Sequence, residues 1–359
     1  MKTPSVIIAV CALAGAPFGA AAADSVVRDG EIGYVLTDLY WAIHQHEDPA
    51  RDCPDGFNSG PRQQYEALFP PDGPTPSVVE ARLALEGATW NPTPGDDPFP
   101  FHEPRGGVSY GFDLDGRATP EDFVGPDGEA GIDNQLFRSI GCIIGFRGPD
   151  GVEFIFESKA IMERRYNRLM LHLTGVDSLE NDDAVTVTVY RGLDRLLTDA
   201  SGEKVVPGGS QRIDARWGRS LIREMRGRIE DGVLETDPID DLVIPWMNLE
   251  VPTVQRVRDA RFRLAVSETG AEGLIGGYVD VETWYRQLIR NDSTHHLSNG
   301  DISAISLYRQ LRRAADGHPD PRTGDPTSIS AALDAEFVQV FIDAPAGAGA
   351  GAGDERASR

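Results

Sequence analysis

The sequence predicts an α+β protein: an antiparallel, β-sandwich-like main domain with an N-terminal helical region and C-terminal helices. Three observations carry that expectation. After about residue 150, apolar and polar residues alternate, as they do along half-buried strands. Before it, residues 31–46 repeat apolar side chains at the three- and four-residue spacing of a helix. Near the C-terminus the helical period returns in two short stretches.

Taken in order, the chain opens with Met1-Lys2, an apolar stretch from Val6 to Ala14, and small residues ending in Ala21-Ala22-Ala23. A positive start, a short apolar core and an Ala-x-Ala end describe a secretory signal peptide over residues 1–23. The mature chain then starts at Asp24, in the periplasm or outside the cell. Neither the leader nor any later stretch is long enough to span a membrane as a helix. Cys11 leaves with the leader, and the remaining Cys53 and Cys142 predict one disulfide in an oxidising compartment. Closing a loop of about 90 residues contributes roughly 4 kcal/mol in the chain-entropy model.

Residues 24–105 form the expected helical and Pro-rich region. Ile32, Val35, Leu36, Leu39, Tyr40 and Ile43 mark one amphipathic helix. Ser77-Val78-Val79-Glu80 is a capping box that starts a second, running to Glu86 and stopping at Gly87. The prolines of 91–105 close the region. Residues 106–343 make the main domain. Leu169, Leu171 and Leu173 alternate with Met170, His172 and Thr174; Val185, Val187 and Val189 do the same, as do Phe262, Leu264 and Val266. Asp231-Gly232 reads as a hairpin turn. Sheets with one wet face then pack as a sandwich. Trp284, Leu288 and Ile289, then Leu307, Leu311 and Ala315, mark two helices. Residues 344–359 begin as an Ala/Gly repeat with nothing to bury, and are expected to be a disordered tail.

Composition narrows the function. At 40% hydrophobic and 25% charged residues, the chain is neither disordered, collagen-like nor a disulfide-dense miniprotein. Asp and Glu number 57 against 34 Lys and Arg, a net charge of −23 that repels phosphate backbones and argues against nucleic acid.

The segment 113–134 is the richest in chemistry. Asp113, Asp115, Asp127, Glu129, Asp133 and Asn134 offer oxygen side chains, and Gly128 and Gly131 let the chain wrap. Calcium needs six to eight such oxygens on a compact irregular loop. The segment resembles the Asp/Gly-rich calcium loops of dockerins and thrombospondin type 3 repeats over barely twenty residues. It departs from the EF-hand, since Arg117 takes the third ligand position and no Glu follows at the twelfth. The competing reading is an acidic turn ahead of a helix capped by Asp133.

Other motifs weigh less. His44-Gln45-His46-Glu47-Asp48 spells the His-x-His-x-Asp run that holds zinc in metallo-β-lactamase-like hydrolases. Here it ends a predicted helix, and Pro49 replaces the next His. Gly107-Val108-Ser109-Tyr110-Gly111 matches the Gly-x-Ser-x-Gly elbow of α/β-hydrolases without the strand and helix that elbow needs. His295-His296 reads as an exposed pair. Arg212, Arg216, Arg219, Arg223 and Arg226 would line one face of a helix, with the chain's own acids as the ready partners. Trp217 and Trp246 suit either a core or a sugar-stacking platform.

Together these features predict an exported, calcium-stabilised binding or structural protein, with a glycan or another exported protein as partner. The alternative is an exported carboxylate- or metal-dependent hydrolase acting on a glycan or ester. No acid or base for it is named by spacing in the sequence.

Overall fold

The computed structural model describes residues 26–58, 83–85, 88–90, 101–148, 151, 161–162, 168–202, 204–214, 221–248, 251–290 and 304–343. The leader, the capping box at 77–80, Arg216, Trp217, Arg219, His295-His296 and the tail from 344 lie outside them.

Strands run in chain order as β1 (Glu31–Trp41), β2 (Leu83–Leu85), β3 (Ala88–Trp90), β4 (Phe123–Val124), β5 (Ala130–Ile132), β6 (Leu169–Thr174), β7 (Asp182–Arg191) and β8 (Gly209–Arg212). They continue as β9 (Arg223–Glu230), β10 (Val233–Thr236), β11 (Leu242–Asn248), β12 (Val251–Val266), β13 (Gly270–Asp280), β14 (Gly317–Pro319) and β15 (Pro326–Asp343). Helices are α1 (Pro49–Asp52), α2 (Gln135–Ile140), α3 (Val281–Arg290) and α4 (Ala304–Ala314).

The main domain is a closed, eight-stranded antiparallel barrel, not a sandwich with helical regions; the described residues are 47% strand and 14% helix. Strand order is β1-β6-β7-β9-β10-β12-β13-β15, and β15 pairs back onto β1 to close it. That closure joins Gly33 to Val340 and Trp41 to Leu333. It pairs residues some 300 positions apart, which no local periodicity can encode. Three further strands branch from the closed path, β11 on β12 and both β8 and β14 on β15.

The predicted helix over 31–46 is strand β1, and a β-bulge explains the error. Ile32, Tyr34 and Leu36 point into the barrel core at period two. The register against β15 then slips between Leu36 and Asp38, so Thr37 is an extra residue. Parity flips, and Leu39 and Trp41 resume the inward face. The three-residue step from Leu36 to Leu39 imitates a helical turn. Val35, on the outer face, is also buried, in a second cluster with Met170, Tyr190 and Val340. The predicted helix ending at Glu86 is corrected too, since 83–85 is strand β2, paired with β3.

The alternating runs behave as read. Leu169, Leu171, Leu173, Val185, Val187 and Val189 join one apolar core with Phe262, Leu264 and Val266. The core fills the barrel. Outward positions on β9 are exposed and charged: Glu224, Arg226, Arg228 and Glu230. On β9 the apolar inside and charged outside are the reverse of the pattern of a lipid-facing strand. Among the described residues, no helix is long and apolar enough to cross a membrane. Asp231 and Gly232 form the β9–β10 turn with φ of 50° and 79°, the double positive φ of a two-residue hairpin.

Helices α3 and α4 form where the returning period placed them. Trp284 of α3 stacks edge-on to Trp41, ring centroids 5.8 Å apart, and Trp246 lies 5.2 Å from Trp41 on another side. Trp246 is thus core, not a sugar platform. Segment 101–148 packs on the barrel and adds Phe123, Ile132, Leu136, Phe137 and Ile140 to the same apolar core. Phe112 sits directly over Gly276 of β13, where an added Cβ would come within 2.1 Å of the ring. Gly276 is the gap that lets this loop dock. Cys53 and Cys142 form the predicted disulfide.

Candidate metal centre

Of the six predicted ligands, the fold brings three together. Asp113, Asp115 and Asp133 each place a carboxylate oxygen within 4.8 Å of the others. Among the described residues this is the one such group of three or more His, Cys, Asp or Glu. Asp133 is buried, Asp113 half-buried and Asp115 exposed, so the cluster opens to solvent on one side.

The chain itself builds this arrangement. Asp115 makes an Asx turn, its carboxylate accepting from the Arg117 amide (2.9 Å), and the Asp113 carboxylate caps the same turn, accepting from the amides of Gly116 (2.7 Å) and Arg117 (3.2 Å). The Asp133 carboxylate reaches across to accept from the amides of Leu114 (2.7 Å) and Asp115 (3.3 Å). The Asp133 amide donates to the Phe112 carbonyl at 2.8 Å. Gly131 is required between the two arms: its φ is 80°, and a Cβ there would lie 2.8 Å from the Arg117 carbonyl oxygen. From the barrel wall, Arg261 of β12 donates to the carbonyls of Asp113 and Leu114, both at 2.9 Å.

The other three predicted ligands face elsewhere. Glu129 pairs with Arg263 at 2.8 Å. The Asp127 carboxylate accepts from the Glu129 amide at 3.3 Å, closing its own turn. Asn134 is buried and donates to the carbonyl of Tyr110, the hydroxyl of Ser109 and the carbonyl of Ala42. Nor does Asp133 cap the helix that follows: the N-cap residue of α2 is Asn134.

Charge is concentrated here. Burial pushes the Asp133 carboxyl up to about 6; Asp115 and Asp122 add to the shift, and the Leu114 amide opposes it. Burial raises the carboxyl of Asp316 as well, with Asp115 contributing, although Ser330 donates to it at 2.6 Å. Tyr278 of β13 has its phenol raised by burial, then by Asp133, Asp316, Asp115 and Asp259 in that order. Its ring lies edge-on to His318, whose Nε2 is 3.1 Å from Asp259. Arg261, Tyr278 and Asp316 were not legible from spacing, because they arrive from β12, β13 and the start of β14. Three carboxylates with solvent on one side can hold a cation through oxygen ligands.

The remaining motifs resolve into structure. His46 has its ring nitrogens against the Asp48 amide (3.0 Å) and the Arg51 guanidinium (2.7 Å), which leaves no zinc site with His44. Ser109 is fully buried and donates to the Tyr110 carbonyl, so it is no exposed nucleophile. Of the arginine stripe, the described Arg212, Arg223 and Arg226 lie on strands β8 and β9, where Arg212 pairs with Asp194 and Arg223 with Asp241.

Comparison with protein-family models, with curated proteins and with solved structures finds no match for this chain.

Proposed function

We propose that this is an exported, calcium-stabilised β-barrel protein that binds a glycan or another exported protein rather than transforming it. The observation that carries the calcium reading is the convergence of Asp113, Asp115 and Asp133 within 4.8 Å. Three like charges at that spacing repel, and a cation relieves the repulsion while ordering both arms of the loop. Hard oxygen donors on an irregular, half-open loop suit calcium better than magnesium, whose octahedral shell is stricter. The disulfide and the acidic, filled barrel fit an oxidising compartment outside the cytoplasm. Isothermal titration of the purified protein with calcium tests the reading. One site with a dissociation constant at or below the millimolar range supports it; absence of heat at millimolar calcium contradicts it.

A second reading, an exported hydrolase acting on a glycan or ester, draws on one observation. Asp133, buried beside two other carboxylates, is pushed up to about 6, near the range where a carboxyl serves as a general acid or base at neutral pH. Turnover of chromogenic glycosides or esters that disappears in Asp133→Asn would favour it.

A further inference from the structure

We propose that the Cys53–Cys142 bond and the Asp52–Arg147 ion pair form a clasp for the acidic loop, so that oxidation of the two thiols sets the affinity of the cation site. The proposal rests on the calcium reading above. Neither cysteine lies in a barrel strand. Cys53 follows α1, and Cys142 stands just beyond the end of α2, the helix that continues from Asp133. The same knuckle, residues 52–58, also grips the start of the acidic segment. The Arg105 amide donates to the Asp52 carbonyl at 2.8 Å. Asn58 bonds the His102 backbone in both directions, donating to its carbonyl at 2.6 Å and accepting from its amide at 2.8 Å. The Asn58 amide then donates to the Cys142 carbonyl at 2.7 Å. Both ends of the stretch that holds Asp113, Asp115 and Asp133 are therefore fastened at one place.

Asp52 reinforces that place. It is buried, accepts from the His46 amide at 2.8 Å, and pairs with Arg147 at 3.1 Å; Arg147 in turn donates to the Gly141 carbonyl. Asp113 and Asp115 belong to one arm of the loop and Asp133 to the other, so their convergence depends on holding the arms in register. Arg261 ties the first arm to the barrel, and the second is tied by Glu129 to Arg263, by Asn134 to the Ala42 carbonyl and by the Gln135 amide to Ser330, all without a covalent bond. With the bond open, the second arm loses its covalent stop and the carboxylates can relax apart. In the oxidation, the two thiols give up two protons and two electrons to a disulfide oxidant, which leaves as a dithiol. Both cysteines are buried, so the site is completed once, on folding, and is not toggled at the surface.

The test compares the oxidised wild type with Cys53→Ser/Cys142→Ser and, separately, with Asp52→Asn, which keeps the disulfide. Calcium affinity is measured by titration, and loop order by deuterium uptake without calcium, with circular dichroism confirming the barrel. The double variant should bind calcium at least tenfold more weakly, and residues 106–134 should take up deuterium in seconds while barrel strands stay protected over minutes. Asp52→Asn should show a smaller change in the same direction. Calcium affinity within twofold of wild type in the double variant overturns the proposal. If the wild type binds no calcium, the calcium reading falls, and the uptake arm still judges the clasp: unchanged uptake over 106–134 overturns it.

Discussion

Asn134 shows how much of this site is ordinary protein interior. Its amide donates to the Ala42 and Tyr110 carbonyls and the Ser109 hydroxyl, joining the end of β1 to both arms of the loop. Truncation to alanine would leave buried acceptors without donors, at a cost of about 1–3 kcal/mol. Asn134→Ala should therefore lower the urea midpoint without changing the slope; a midpoint equal to wild type would show that water replaces the amide. Its residue type and its place beside Asp133 predict a ligand. Only the fold reveals that its amide is already in use. Glu129 likewise spends its carboxylate on Arg263, a partner 134 positions away that no local pattern reveals. Asp113, Asp115 and Asp133 were legible because local Asx turns and a glycine corner bring them together.

At the scale of elements, β1 and β15 decide the architecture. The bulge at Thr37 lets Ile32, Tyr34 and Leu36 share the interior with Leu39 and Trp41. Deleting Thr37 should turn the bulge into a regular ladder, because Leu36 and Asp38 already face the consecutive Phe337 and Glu336; Leu39 and Trp41 should stay inward and unfolding should stay cooperative. Thr37→Ala should cost less than about 1 kcal/mol, the worth of one exposed hydrogen bond. Loss of cooperative unfolding in the deletion variant would contradict this reading of the register. On the outer face of this seam, Glu336 stands directly opposite Asp38 of β1 and Glu272 of β13. Burial raises the Glu336 carboxyl, with Asp38, Asp334 and Glu272 adding to the shift. A carboxyl raised by folding binds its proton more tightly in the native state. Its stabilisation is complete below the unfolded value near 4 and is lost as pH rises through the folded value. Glu336→Gln should therefore raise the melting temperature by roughly 1–3 °C at pH 7.5 and leave it unchanged at pH 4. A loss at pH 7.5 would contradict this account of the seam. The alternating strands were legible in the sequence; the bulge was not, because one inserted residue turns period two into a three-residue step.

Across the whole molecule, the barrel supplies the rigid wall and segment 101–148 supplies the chemistry. Barrel closure was invisible to local pattern, since antiparallel alternation serves a sandwich and a barrel alike and only the β1–β15 pairing separates them. The disulfide spans 89 residues, and its removal should cost about 4 kcal/mol against unfolding, read from denaturant titration. A cost near zero would mean that the unfolded chain is already confined. The central claim is that the acidic loop binds calcium, and thermal unfolding in chelator against millimolar calcium tests it most directly. The comparison uses the wild type and Asp133→Asn, whose amide oxygen can still accept from Leu114 but carries no charge. In chelator the variant should melt at or above the wild type, because repulsion is relieved. With calcium at about a hundred times its dissociation constant, the wild type should gain about 2.7 kcal/mol, roughly 5 °C, and overtake a variant that does not respond. A wild-type melting temperature that is the same in calcium and in chelator would contradict the account.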